Sequence, residues 1–119
     1  PICGEKLTIA GPMWLGEIQN KEFISEMISI SDEKELNTKD DVLKLLNTCY
    51  EEAETPVAFY DIHVICRNLK VSAPKLLNVL DALKNQGYIA VRTHFSPLGI
   101  RTDADITVIK EIILKLLDE

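Results

Sequence analysis

A small α+β fold, mostly helical and completed by one short hairpin, is what this chain of 119 residues predicts. Two observations carry that prediction. Apolar residues recur at α-helical spacing in successive segments along the chain. One longer stretch, Tyr88–Phe95, alternates as a strand does, and a Ser96–Gly99 turn signal followed by Ile100–Thr102 folds it back on itself.

In order, the chain opens with Leu7–Ala10, a short strand broken by the Gly11-Pro12 turn signal. Asn20 then stands as the cap of a helix bearing Phe23, Ile24, Met27 and Ile28. The polar stretch Asp32–Asn37 leads to a second helix. There Thr38 precedes Asp40 and Asp41, acids suited to the positive end of the helix dipole, and Val42, Leu45, Leu46 and Cys49 form the apolar face. Thr55 followed by Pro56 reads as a cap and a first-turn proline, opening a third helix whose face is Phe59, Ile62, Cys66 and Leu69. Lys70–Pro74 is the break. Pro74 restricts the residue before it, which makes Ser72 or Ala73 the next cap.

The fourth helix carries Leu76, Leu80 and Leu83, supported by Leu77 and Val79, and stops at Gly87, which tolerates left-handed backbone. In the strand that follows, Tyr88, Ala90, Arg92 and His94 face one way and Ile89, Val91, Thr93 and Phe95 the other. Asp103 or Asp105 caps a last helix with Ile106, Ile109, Ile113 and Leu116 on its stripe.

Helix, short turn, helix and two-stranded hairpin is the layout of a winged helix-turn-helix with a small antiparallel sheet, here preceded by two helices. Leu7–Ala10 is the candidate third strand. The expected division is 1–54, a strand and helical segment, and 55–119, the winged-helix-like unit with its C-terminal helix, the two forming one compact domain. Val108, Ile112 and Leu114 lie beside the last helix's main stripe, and that surplus predicts a partner surface.

The net charge of −6 argues against nucleic acid as a ligand, but its distribution does not. Between Val57 and Ala104, six basic residues face three acids, a net of +3 that leaves −9 for the rest. No apolar run approaches the roughly 20 residues of a membrane span, and no signal peptide is visible. The three cysteines, Cys3, Cys49 and Cys66, are scattered and odd in number, which predicts a reducing, cytoplasmic setting without a disulfide framework. A chain opening at Pro1 is expected to be cut from a longer one.

Few residues suggest chemistry. Cys3-Gly4 has no second ligand at metal spacing. Cys49 and Cys66 fall on helix stripes and read as buried small apolar groups. His63 reads as a core or boundary histidine, and Asp61, two residues away, makes no dyad with it. No nucleophile triad, phosphate loop or carboxylate pair is present.

Two surfaces remain. The fourth helix exposes Lys75, Asn78, Ala82 and Asn85, with Lys84 beside them. In the hairpin, Arg92 and His94 share a face, Arg101 lies on the adjoining strand, and Phe95 stands near the turn. Arginine forks match phosphates and aromatic rings stack on bases, so these types suit RNA. A structural hairpin with solvated charges has the same pattern.

"GPMWLG" (Gly11–Gly16), "FYDIH" (Phe59–His63) and above all "RTHFSPLGIRTDA" (Arg92–Ala104) resemble the C-terminal domain of archaeal-type tRNA guanine-26 N2,N2-dimethyltransferases. The similarity runs over nearly the whole chain. "PICG" is similar to the end of that family's C-P-x-C-G zinc turn, which makes Cys3 a zinc ligand in the intact protein. Leu98 stands where Thr is common, and Arg101 where Lys is common.

The resemblance implies an S-adenosylmethionine-dependent, cytoplasmic enzyme making N2-methyl- and N2,N2-dimethylguanosine at position 26 of tRNA. Its methyl-donor site and catalytic group belong to an N-terminal Rossmann-like domain. No catalytic residue is therefore expected in this piece, which alone is expected to be inactive. Its partners are tRNA and that domain, and its task is to hold the tRNA so that the unstacked target base reaches the methyl group. The residues expected to touch RNA are Arg92, His94, Phe95 and Arg101, with Lys75 and Lys84 as weaker electrostatic helpers. Two other readings stand beside it: a non-enzymatic winged-helix DNA-binding module, and a purely structural scaffold whose hairpin packs on the missing domain.

Overall fold

Asn20 caps the first helix as its side chain predicts. Its Oδ1 accepts the Phe23 N–H at 2.9 Å, and α1 runs Lys21–Glu33. The computed structural model describes Gly4, Lys6 and residues 8–118. The second helix, α2, spans Lys39–Glu52, with Asp40 and Asp41 in its first turn; the Thr38 hydroxyl makes no capping bond. The two helices pack on each other and bury Ile24 and Leu46. Phe23 stays outside at 60% exposure, so the α1 face is only partly used.

The third helix begins later than Thr55-Pro56 predicts. The Thr55 hydroxyl donates back to the Glu52 carbonyl at 2.7 Å, so it closes α2 and opens nothing. Tyr60–Asp61 forms β1, and α3 covers Ile62–Leu69, capped by Asp61, whose Oδ1 accepts the Val64 N–H at 3.0 Å. Phe59 is therefore outside the helix and 46% exposed.

The α3 terminus is a paired-bond turn. The Val71 N–H reaches the Cys66 carbonyl, the Lys70 N–H reaches that of Arg67, and Lys70 takes left-handed backbone at φ 59°. The next helix, α4, spans Leu76–Asn85, with extended Lys75, not Ser72 or Ala73, in the cap position. Gly87 ends it at φ +88°, with the same pair of bonds, Tyr88 to Leu83 and Gly87 to Lys84.

The hairpin pairs β2, Ala90–Arg92, with β3, Gly99–Thr102, in the register Val91 opposite Arg101. The sheet order is β1-β3-β2, antiparallel throughout. The third strand is thus Tyr60–Asp61 and not Leu7–Ala10; residues 8–10 carry no strand and Leu7 lies outside the described residues. The face predicted to hold both Ala90 and Arg92 divides: Ala90 is buried and Arg92 exposed, while Thr93 just beyond is buried again.

The last helix, α5, spans Ile106–Asp118. The Asp105 carbonyl accepts the Ile109 N–H at 3.2 Å, as a cap residue's does, while the Asp103 carboxylate accepts the Ile89 N–H at 2.8 Å and ties down the start of the hairpin. Ile109, Ile112 and Ile113 join Ile62, Ile65, Cys66, Val79, Leu80, Leu83, Ala90, Ile100 and Ala104 in one core, against which Val108 also packs. The surplus predicted on α5 is therefore mostly absorbed within the chain. Of that trio only Leu114 is exposed. Among the described residues no helix is long and apolar enough to cross a membrane.

Candidate nucleic-acid interface

A buried carboxylate organises the surface on which the hairpin tip rests. Glu52, the last residue of α2, has 0% exposure. A helix C-terminus is a poor place for a negative charge, and burial away from water costs more. The fold compensates with hydrogen-bond donors from two segments and a buried counter-charge from a third. Oε1 accepts the His94 main-chain N–H at 2.9 Å and lies 3.6 Å from Arg101 Nε. Oε2 lies 2.5 Å from His94 Nδ1 and accepts from Gln19 Nε2 at 3.3 Å.

The tip itself is held by its own bonds. The Thr93 N–H reaches the Gly99 carbonyl, the Gly99 N–H reaches that of Ser96, and the Thr93 hydroxyl donates to the Ser96 carbonyl at 2.8 Å. Gly99 has no room for a larger residue, since a Cβ there would sit 2.5 Å from Thr93 Oγ1.

The predicted basic patch is thus divided by depth. Arg101 is 4% exposed; its guanidinium faces Glu52, donates to the Pro56 carbonyl at 3.3 Å, and stands 5.9 Å from the centre of the Phe95 ring. In this arrangement it does not present a fork to a phosphate, because the guanidinium is enclosed, with Nη1 bonded to Pro56 and Nε buried 3.6 Å from Glu52 without a hydrogen bond among the described residues. His94 is exposed on one side and held by Glu52 on the other.

Arg92 points outward and makes no ion pair among the described residues. Phe95 is 50% exposed, in edge-to-face contact with Phe59 at 4.9 Å and with the His94 ring at 5.1 Å. Between the tip and α2 runs an open cleft of about 360 Å³, lined by Asp41, Lys44 and Thr48 on one wall and Arg92, His94 and Phe95 on the other.

The remaining candidates lie apart from this cluster. Lys75 and Lys84 are exposed at the two ends of α4, roughly 13 Å apart along the helix axis. Cys3 lies outside the described residues. His63 is exposed on α3 and not the core or boundary residue its neighbours predict. Cys66 is buried as expected, and burial pushes its thiol above the ordinary 9.0. Cys49 is only half-buried, its thiol raised by burial first and by the nearby Glu52 charge second.

Sequence reasoning missed Glu52 and Gln19. Glu52 sits among Glu51, Glu54 and other polar residues at a helix end, and no local pattern separates the buried acid from its exposed neighbours.

Comparison with known proteins adds the rest. The family model of N2,N2-dimethylguanosine tRNA methyltransferase matches residues 1–114. A tRNA (guanine(26)-N(2))-dimethyltransferase of Methanobrevibacter smithii is 61% identical over 98% of this chain, and one of Methanothermobacter thermautotrophicus is 50% identical over all of it. The chain spans only 30% and 31% of the length of these curated relatives. The structure of Trm1 from Pyrococcus horikoshii in complex with S-adenosyl-L-methionine superposes with a TM-score of 0.79 at 41% identity, covering 87% of this chain and 28% of that one. With a family model matched along nearly its whole length, this chain belongs to the N2,N2-dimethylguanosine tRNA methyltransferase family.

Proposed function

We propose that this chain is the tRNA-engaging part of an S-adenosylmethionine-dependent enzyme that methylates the exocyclic N2 of guanine 26 in tRNA, once and twice. Family membership and the names of the longer relatives support the reaction class. The methyl donor belongs to the remainder of the longer protein, in a Rossmann-like domain. The described residues do not fit it: Gly4, Gly11 and Gly16 lie in irregular chain ahead of α1, Gly87 closes a helix and Gly99 sits in the hairpin. None forms a glycine-rich turn between a strand and a helix.

The α3–α4 pair with the β2–β3 hairpin works as a winged helix-turn-helix, with the hairpin as its wing. The observation that carries the reading is the cleft between wing and α2, where Arg92, Lys44 and a half-exposed Phe95 surround open space. Arg92 supplies a free fork for a phosphate, and Phe95 a ring for an unstacked base. Glu52, His94 and Arg101 act one layer below, fixing the tip so that both groups are held in place before RNA arrives. Lys75 and Lys84 add a diffuse positive field along α4.

Measured on the full-length protein, Arg92→Ala should weaken tRNA binding about tenfold and reduce the slope of log Kd against log salt by about 1. Unchanged affinity at every salt concentration, with folding intact, contradicts this reading. One observation favours a scaffold role instead: Phe59 and Phe95 form an exposed aromatic pair suited to packing on the rest of the protein. In that case Arg92→Ala leaves tRNA affinity alone and lowers methyl transfer.

A further inference from the structure

We propose that Cys49, Glu52 and His94 form a binding site for a thiophilic divalent cation of the zinc class, joining α2 to the hairpin tip. Cys49 and Glu52 are three residues apart on α2 and so share a face. The hairpin returns His94 to that face from 42 residues further along the chain. One ligand atom from each residue, the thiol sulfur, a carboxylate oxygen and a ring nitrogen, lies within 4.8 Å of the other two. Donors around a tetrahedral zinc stand roughly 3.3–3.8 Å apart, so the set closes on an ion by side-chain adjustment alone.

The two carboxylate oxygens already have separate duties. Oε1 accepts the His94 main-chain N–H and lies 3.6 Å from Arg101 Nε, while Oε2 faces the imidazole and the Gln19 amide. Coordination through Oε2 leaves the Oε1 contacts in place, and these orient the ligand as outer partners do in metal sites.

The Gln19 amide is an independent sign. Its Nε2 is 3.3 Å from Oε2, while its Oε1 is buried with no hydrogen-bond partner among the described residues. Turning the amide by half a rotation exchanges the two atoms and offers an oxygen to the same position, a fourth donor. His94 and the half-buried Cys49 leave an entrance from solvent.

A thiolate and an imidazole select zinc and cobalt over magnesium and calcium. The proton balance is simple. The ion takes the position of the hydrogen between Nδ1 and Oε2; that proton moves through solvent to Nε2, so the imidazole stays neutral with Nδ1 free to ligate, and the Cys49 thiol releases one proton to solvent. Thiolate and carboxylate together then neutralise the dication.

The test is cobalt titration of the metal-free full-length protein, followed through the thiolate-to-cobalt charge-transfer band, with zinc as competitor. Cys49→Ser and His94→Ala should each bind one equivalent fewer than the parent. Cys66→Ser, a buried thiol outside the site, should lose none. Zinc in excess should raise the melting temperature of the parent more than that of Cys49→Ser. Circular dichroism establishes that the variants are folded, and Cys49→Ala serves if Cys49→Ser is not. Equal cobalt stoichiometry and equal band intensity in the parent and the folded Cys49 variant overturn the proposal.

Discussion

The Glu52 carboxylate holds His94 by both its backbone and its ring: Oε1 accepts the main-chain N–H at 2.9 Å, and Oε2 lies 2.5 Å from Nδ1. One acid at the end of α2 therefore sets where the hairpin tip sits. Since Arg101 faces the same carboxylate, removing the charge strands a buried guanidinium. Glu52→Gln should lower unfolding free energy by about 3 kcal/mol, the scale for breaking a buried ion pair from one side. Denaturant titration of Glu52→Gln, Arg101→Met and the double variant gives the coupling. Losses that fall short of additive by about 1 kcal/mol or more confirm a shared network, and strictly additive losses refute it.

Phe95 offers a sharper test of the proposed RNA surface, because half of its side chain is free. Phe95→Ala should reduce tRNA affinity of the full-length protein by about 1–3 kcal/mol, the measured range for one base stacked on one ring. Phe95→Trp, which keeps an aromatic face, should retain binding. Equal loss in both variants would show that the ring acts through packing on Phe59 and not through stacking.

Lys70 carries a conformational cost that glycine avoids. Its φ of 59° belongs to the left-handed region, where a Cβ crowds the following carbonyl. Lys70→Gly should stabilise the fold by about 0.5–1 kcal/mol, the steric relief being reduced by glycine's greater freedom when unfolded. Thermal melting reads this directly, and an unchanged or lower melting temperature counts against it.

Burial of Cys66 links stability to alkaline pH. Its folded thiol titrates above the ordinary 9.0, so the folded state favours the neutral form. That contribution is fully present below pH about 9 and declines as pH rises through the folded value. Between the parent and Cys66→Ala, the difference in denaturant midpoint should be constant at neutral pH and narrow above pH about 9. A difference independent of pH would show that the thiol does not ionise on unfolding.

The sequence signals that hold are those whose physics is local. Asn20 caps α1, Gly87 turns left-handed after α4, and the Leu80, Leu83, Ile109 and Ile113 stripes enter the core, because each depends on neighbours within one or two helical turns. The Ser96–Gly99 turn likewise follows from its own residues. The third strand is not local. Tyr60–Asp61 pairs with residues nearly forty positions away, and a two-residue strand has too short a pattern to announce itself. Thr55 misleads for a related reason: a hydroxyl before a proline can open a helix, but here it accepts the alternative of closing the one behind it.

Family and broad fold class were legible in the sequence alone, since Arg92–Ala104 is a distinctive block and helical periodicity survives in any order of packing. The division of labour within that block was not. Alternation along the strand sorts side chains by direction, and direction says nothing of what covers them. Only the tertiary structure decides that Arg101 is enclosed and Arg92 free, because it brings an unremarkable glutamate from 49 residues away beneath one of them. A charge is placed inside a protein by its counter-charge, and that partner is chosen by the fold.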